Sequence, residues 1–143
     1  MVASPFPAFK AAVVSTIAAA IPTVQVSYGW PVGTWPQEMI VVASARGRQK
    51  WAAFPKIKDE DITLTLNFCA STGGNIQQTS TERAFALLAA AETALRTDPT
   101  LGNVITPQGA AVESWDLTET DYDASSNGRT AMLTVIITAT SRF

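Results

Sequence analysis

Asp61-Ile62-Thr63-Leu64-Thr65-Leu66-Asn67-Phe68-Cys69 alternates without a break, with Ile62, Leu64, Leu66 and Phe68 on one face and Thr63, Thr65, Asn67 and Cys69 on the other. Strict alternation at period two marks a strand buried on one side only. Such a strand needs neighbours in a sheet and a second layer over its apolar face. That layer can be read on both sides of it. Upstream, Ser4 and Pro5 have the chemistry of an N-cap and first-turn proline, and Phe6, Phe9, Val13, Ile17 and Ala20 recur at spacings of three and four, so an amphipathic helix is expected to end before Pro22. Downstream, Thr79-Ser80-Thr81-Glu82 has capping-box spacing, and Ala84, Leu88, Ala91 and Leu95, flanked by Phe85 and Leu87, form the buried stripe of a second helix that Asp98-Pro99 stops. Glu92 and Arg96 stand at i,i+4 in the favourable orientation.

The remaining strands fall between and after these helices. Val24, Val26 and Tyr28 alternate with polar residues, Gly29 to Pro36 reads as a loop, and Met39 to Ala43 as a second strand. Arg46-Gly47-Arg48-Gln49-Lys50-Trp51 then either turns tightly or protrudes. After a Ser71 to Asn75 loop and the second helix come a short strand-like piece around Val104, then Ala111 to Tyr122 and Arg129 to Thr140, with Asn127-Gly128 as a hairpin signal. The order is α-β-β-β-α-β-β. The expected fold is α+β: one antiparallel or mixed sheet of about five strands with two helices packed on one face. No repeat or linker divides residues 1–143, so one domain is expected.

Composition narrows the function. Charged residues make up 15% of the 143, against about 25% in an average domain, while the chain has 23 Ala and 18 Thr. A surface so poor in charge suits burial against neighbours. The absence of histidine removes the usual general base near neutral pH, the commonest metal ligand and every imidazole triad. Net charge −2 argues against a domain-wide basic nucleic-acid module. Ala11 to Ile21, the longest apolar stretch, is too short for a bilayer span of about 20 residues, and Pro5, Pro7 and Lys10 before it do not suit a secretory leader.

No catalytic, cofactor or metal site is expected. Asp59-Glu60-Asp61 and Asp121-Tyr122-Asp123 are the carboxylate clusters, and both read as solvated turn residues rather than a desolvated acid/base pair. Asp121-x-Asp123-x-Ser125 begins like a calcium loop, but the glycine comes late and no closing glutamate follows. Cys69 has no histidine to activate it and reads as a small buried or half-buried side chain. Ser125 and Ser126 have no base, and Gly73-Gly74 fits no phosphate-binding spacing.

Charge placement is more informative. Arg46, Arg48, Lys50, Lys56 and Lys58 gather near Trp51 and Phe54, and Glu113, Asp116, Glu119, Asp121 and Asp123 gather near the final hairpin. These residues are the candidate subunit-interface set: the basic arm of one copy meets the acidic hairpin of the next, a heterologous contact that closes into a ring when the rotation allows. A basic segment with aromatics could instead track a phosphate backbone, and this ranks lower.

Gln49-x-Trp51-Ala52 after the second strand, Lys58-Asp59-Glu60 opening an alternating strand, a helix near Glu82-Arg83-Ala84, Asp98-Pro99-Thr100-Leu101-Gly102 and a final hairpin together resemble the tail-terminator or tail-completion proteins of long-tailed bacteriophages. The resemblance covers nearly the whole chain, with Phe54-Pro55 in place of a glycine-containing turn. It implies a non-enzymatic virion protein of the tail or neck, assembled in the host cytoplasm without membrane contact. It would form a homo-oligomeric, usually hexameric, ring that caps the tail tube, stops its polymerisation and joins it to the head. Its partners would be itself, the tail tube protein and a neck or head-completion protein, with DNA passing through the lumen without specific binding. The rivals are a neck protein or tube subunit of the same virion, a small carboxylate-dependent hydrolase, and a secreted or periplasmic binding module.

Overall fold

The computed structural model describes residues 3–33, 36–54, 56–73, 76–121 and 128–143. Among them, α1 (Phe6–Ala20), β1 (Gln25–Ser27), β2 (Glu38–Ala53), β3 (Ile57–Thr72), α2 (Gln77–Thr97), β4 (Pro107–Asp121) and β5 (Arg129–Arg142) follow the expected α-β-β-β-α-β-β order. The five strands form one mixed sheet in the order β1-β2-β3-β5-β4. Only β1 against β2 is parallel.

The alternating stretch lies at the centre. β3 pairs antiparallel with β2 from Glu38↔Ala70 to Ala53↔Ile57 and with β5 from Thr72↔Arg129 to Asp59↔Arg142. Ile62, Leu64, Leu66 and Phe68 are buried beneath the helices, joined by Ile40 and Val42 of β2 and Leu133, Val135 and Ile137 of β5. Phe9, Val13 and Ile17 of α1 and Ala84, Leu87, Leu88, Ala91 and Leu95 of α2 close this core from above. Each large apolar side chain removed from water contributes about 1.5–3 kcal/mol, so the stripes place both helices on the same face. The opposite face carries Thr63, Thr65, Thr134, Thr138 and Thr140, all half-buried, with a small apolar cluster of Met39, Val41 and Cys69 at one end. Cys69 is buried as expected, and burial pushes its thiol pKa up.

Several boundaries differ from the sequence reading. β2 does not stop at Ala43 but continues to Ala53, and β3 starts at Ile57, so the basic segment is one strand of a long hairpin rather than a turn. The cross-strand partners Arg48↔Asp61 and Lys50↔Asp59 explain this, since opposite charges face each other across the ladder. The helix α2 begins at Gln77, and the capping box does not form. Instead the Ser80 hydroxyl donates to the Arg129 carbonyl (2.9 Å) and the Gln77 amide to the Thr130 carbonyl (3.3 Å), tying the first turn to β5. At α1 Pro5, not Ser4, is the N-cap, and the Ser4 hydroxyl accepts from the Phe6 N–H (3.2 Å). The piece around Val104 is a series of turns, not a strand. Asn127 of the expected hairpin turn and Pro55 lie outside the described residues.

That turn region explains Asp98-Pro99-Thr100-Leu101-Gly102. The Asp98 carboxylate accepts from the Thr100 hydroxyl (2.8 Å) and the Gly102 N–H (2.7 Å), bonds that hold its pKa below the usual value, while Leu101, Gly102 and Asn103 all have positive φ. The Pro99 carbonyl then accepts from the Ala110 N–H at 2.7 Å. A Cβ on Gly109 would lie 2.4 Å from that carbonyl oxygen, so only glycine allows this approach.

Leu64→Ala should lower stability by about 2–5 kcal/mol and Thr65→Ala, on the other face, by less than about 1 kcal/mol. Gly109→Ala should cost about 1–3 kcal/mol through the Pro99 clash. Urea midpoints at constant m-value check all three.

Candidate functional site

The long β2–β3 hairpin is the basic arm. Its tip carries Trp51, 52% exposed, and Phe54, 79% exposed, with their rings edge to face at 5.3 Å. The Lys58 ammonium sits 4.8 Å from the Trp51 ring centroid and donates to the Gln49 amide oxygen at 3.5 Å. Lys58 also exchanges backbone hydrogen bonds with Phe143, so the arm runs on past the end of β5. Arg46, Arg48 and Lys50 alternate with Gly47 and Gln49 and share the helix-free face of the sheet. Lys50 approaches Asp61 at 3.9 Å, whereas Arg46, Arg48 and Lys56 make no ion pair among the described residues.

The acidic triplet at the base of this arm is not the turn cluster that the sequence suggested. Asp59, Glu60 and Asp61 are consecutive residues of β3, and the pleat sends Glu60 to the helix face and its two neighbours to the other. Asp59 accepts a bidentate pair from Arg142 (2.8 and 3.1 Å), which holds its carboxyl below the usual range. Asp61 accepts from the Thr140 hydroxyl (2.9 Å). Glu60 is only 4% exposed and accepts from the Ser4 hydroxyl and the Gln49 amide, both at 2.5 Å. Each carboxylate is thus occupied by a different donor. For Asp59 the shift is downward, whereas a general acid wants a raised pKa. Among the described residues no group of His, Cys, Asp and Glu is arranged to hold a metal ion, and no helix is long and apolar enough to cross a membrane.

The acidic candidates lie along β4, the outermost strand beside β5. Glu113 falls at the register shift between Val112 and Ser114. Asp116, opposite Thr134, is exposed on the helix-free face. Glu119 accepts from the Thr81 hydroxyl of α2 at 2.7 Å. Between them Trp115 packs edge to face on Phe85 of α2, with centroids 4.8 Å apart, and anchors the strand to the helix layer. Asp121 ends β4, while Asp123 lies outside the described residues.

The fold keeps these two sets apart. The β2–β3 turn lies beyond Asp59↔Arg142, and Asp121 pairs with Arg129, which pairs with Thr72 at the other end of β3. At about 3.3 Å per residue, the 16 residues of β3 span about 50 Å. The arm tip and the end of the acidic strand therefore sit at opposite ends of one sheet, while Arg46 is level with Ala111, at the start of the acidic stretch, and is held from it by the two intervening strands β3 and β5. Sequence reasoning missed Arg142, the bond from Ser4 to Glu60 and the bidentate Arg83–Glu38 pair (2.8 and 3.0 Å) that joins α2 to the start of β2. Their partners lie 45 to 83 positions away, and no local pattern announces them.

No family model and no curated protein matches the chain. Chains of solved structures do match in shape. One of them belongs to a structure described as "Virion of native gene transfer agent (GTA) particle"; it is 13% identical, with a TM-score of 0.49, over 98% of this chain and 100% of that one.

Because Asp59 has a folded-state pKa below its unfolded value of about 3.9, its contribution to stability is present above that pH and disappears as pH falls through the folded-state value. Melting temperature should therefore fall more steeply with acidification below about pH 4 in the native protein than in Asp59→Asn. Parallel melting curves across that range would contradict it.

Proposed function

We propose that the chain is a structural protein of a tailed-phage virion, at the tail or neck, that associates with itself as a ring. On this reading the ring caps the tail tube, stops its polymerisation and supplies the joint to the head, and no reaction is catalysed. The observation that carries the reading is the separation of charge. Arg46, Arg48 and Lys56 on one arm and Glu113 and Asp116 on β4 have no ion-pair partner among the described residues. β3 and β5 lie between the two strands and keep the charged residues of one copy from meeting.

A second copy removes that constraint. A patch of one sign meeting a different patch of the other sign makes a heterologous contact, which propagates and closes when the rotation per copy divides a full turn. Complementary charge of this kind steers encounter and rejects wrong orientations more than it adds affinity. The sparse charge elsewhere, with Thr and Ala on much of the surface, suits a protein that buries its flanks against neighbours. The order of motifs from Gln49-x-Trp51-Ala52 to the final hairpin adds the tail-terminator assignment, with six copies and with tube and neck proteins as the axial partners.

Light scattering on the purified 15.2 kDa chain should give a several-fold multiple of that mass at high concentration, and a monomer throughout the range overturns the ring. Electron microscopy of particles made without this chain should reveal overlong tails lacking heads. Tails of normal length detached from heads would replace the terminator assignment with a neck protein.

A further inference from the structure

Among the described residues the two edges of the sheet are each open over about two thirds of their length, and the open stretches match. On one side β1 covers only Met39 to Val41 of β2. Beyond it, apart from the hairpin's own bond from the Lys56 N–H to the Ala53 carbonyl, the edge of β2 from Ala43 to Ala53 receives no backbone hydrogen bond from a described segment other than β3. On the other side the Pro99 carbonyl takes the Ala110 N–H, and its turn presses on Gly109, closing the beginning of β4. From Ala111 to Asp121 the outer edge of β4 has no described partner. Each open segment is 11 residues long, one carrying Arg46, Arg48 and Lys50, the other Glu113, Asp116 and Glu119. An unpaired edge of this length is a template for another strand.

We propose that the outer edge of β2 in one copy adds antiparallel to the outer edge of β4 in the next, Ala43–Ala53 along Ala111–Asp121, with Arg48 opposite Asp116. This rests on the self-association proposed above and names its mechanism: main-chain hydrogen bonds extend one sheet through successive copies, and the charges choose which edges pair.

Three independent features agree on it. The first is direction: β2 and β4 run oppositely within the sheet, so a copy in the same orientation meets its neighbour antiparallel. The second is pleat. Full overlap of the open stretches puts Arg48 across from Asp116, and both already lie on the helix-free face, Arg48 beside Asp61 and Asp116 beside Thr134. A slip of one residue would set Arg48 against a residue of the helix face, which the pleats of two copies in the same orientation cannot match. The third is sign. Pairing β2 with β2 or β4 with β4 would oppose like charges, whereas β2 with β4 does not.

Arg48 stands level with Asp61 and Asp116 level with Asn67, so joining them shifts each copy by six residues, about 20 Å, along its neighbour. A sheet that closes on itself requires such a stagger. Here β1 and the Pro99 turn impose it by blocking the unstaggered position.

The test is a proximity measurement on the full chain. Arg48→Cys and Asp116→Cys in the same chain should yield, on mild oxidation, a ladder of covalent oligomers about tenfold more abundant than with either single variant, because directly opposed Cβ atoms lie within about 5.5 Å. The native Cys69 is buried and supplies the same background in all three. In unoxidised chains, Arg48→Glu and Asp116→Arg should each weaken association about tenfold, and together restore it to within about threefold. Assemblies seen by light scattering without a ladder overturn the edge pairing and leave the ring standing. A monomer with no ladder overturns both. Failure of the double charge variant to restore assembly overturns the Arg48–Asp116 register.

Discussion

Full-length pairing of β3 on both of its sides is the constraint on which the molecule rests. Because β2 and β5 hold this strand along nearly its whole length, each of its residues has a set face, and the alternation from Asp61 to Cys69 becomes a division of the entire sheet. Ile62, Leu64, Leu66 and Phe68 face the helices and require them, since a bare row of such side chains would lose several kcal/mol to hydration. The threonines on the reverse side require nothing above them. They are β-branched and so suit a strand, and their hydroxyls find partners across it, as Thr140 does on Asp61 and Thr134 on Asn67. One layer of helices therefore suffices, and a large polar face remains open.

The same pairing explains how charged residues sit in the long hairpin without unravelling it. Cross-strand neighbours place Arg48 and Lys50 against Asp61 and Asp59, and Arg142 arrives from β5 to clamp Asp59. Exposed pairs of this sort contribute little singly, on the order of 0–1 kcal/mol. Their effect is on register and on which cations remain available. Asp59 is committed to Arg142, whereas Arg46 and Arg48 are exposed and make no ion pair among the described residues. Glu60 serves differently. Turned inward by the pleat, it gathers Ser4 and Gln49, so the chain leading into α1 is fastened to the base of the arm.

Open strand edges are hazardous in an isolated domain, and this chain treats its two edges alike. One end of each is closed, by β1 on β2 and by the Pro99 turn on β4, and the uncovered remainder is charged. Charge of a single sign on each edge discourages pairing with its own kind. The Gly109 contact shows how tightly the closure is made, since no other residue would let the Pro99 carbonyl approach.

How much could be foreseen depended on the range of the interaction. Apolar periodicity is a property of adjacent residues, so the helix stripes, the central strand, the α+β class and the element order were all readable from the chain alone. Element ends were less so: the first turn of α2 is held by Arg129 and Thr130 rather than by its own Thr79 and Glu82, and β2 extends past Ala43 because β3 lies beside it. The candidate charges could be identified by their clustering, but whether they were free or committed could not, because Asp59 meets Arg142 across 83 positions and Glu60 meets Ser4 across 56. Local composition specifies which faces must be buried. Which strands become neighbours, which carboxylates are taken and which edges stay open are decided only when distant segments pack, since those outcomes follow from geometry between residues that the linear order keeps apart.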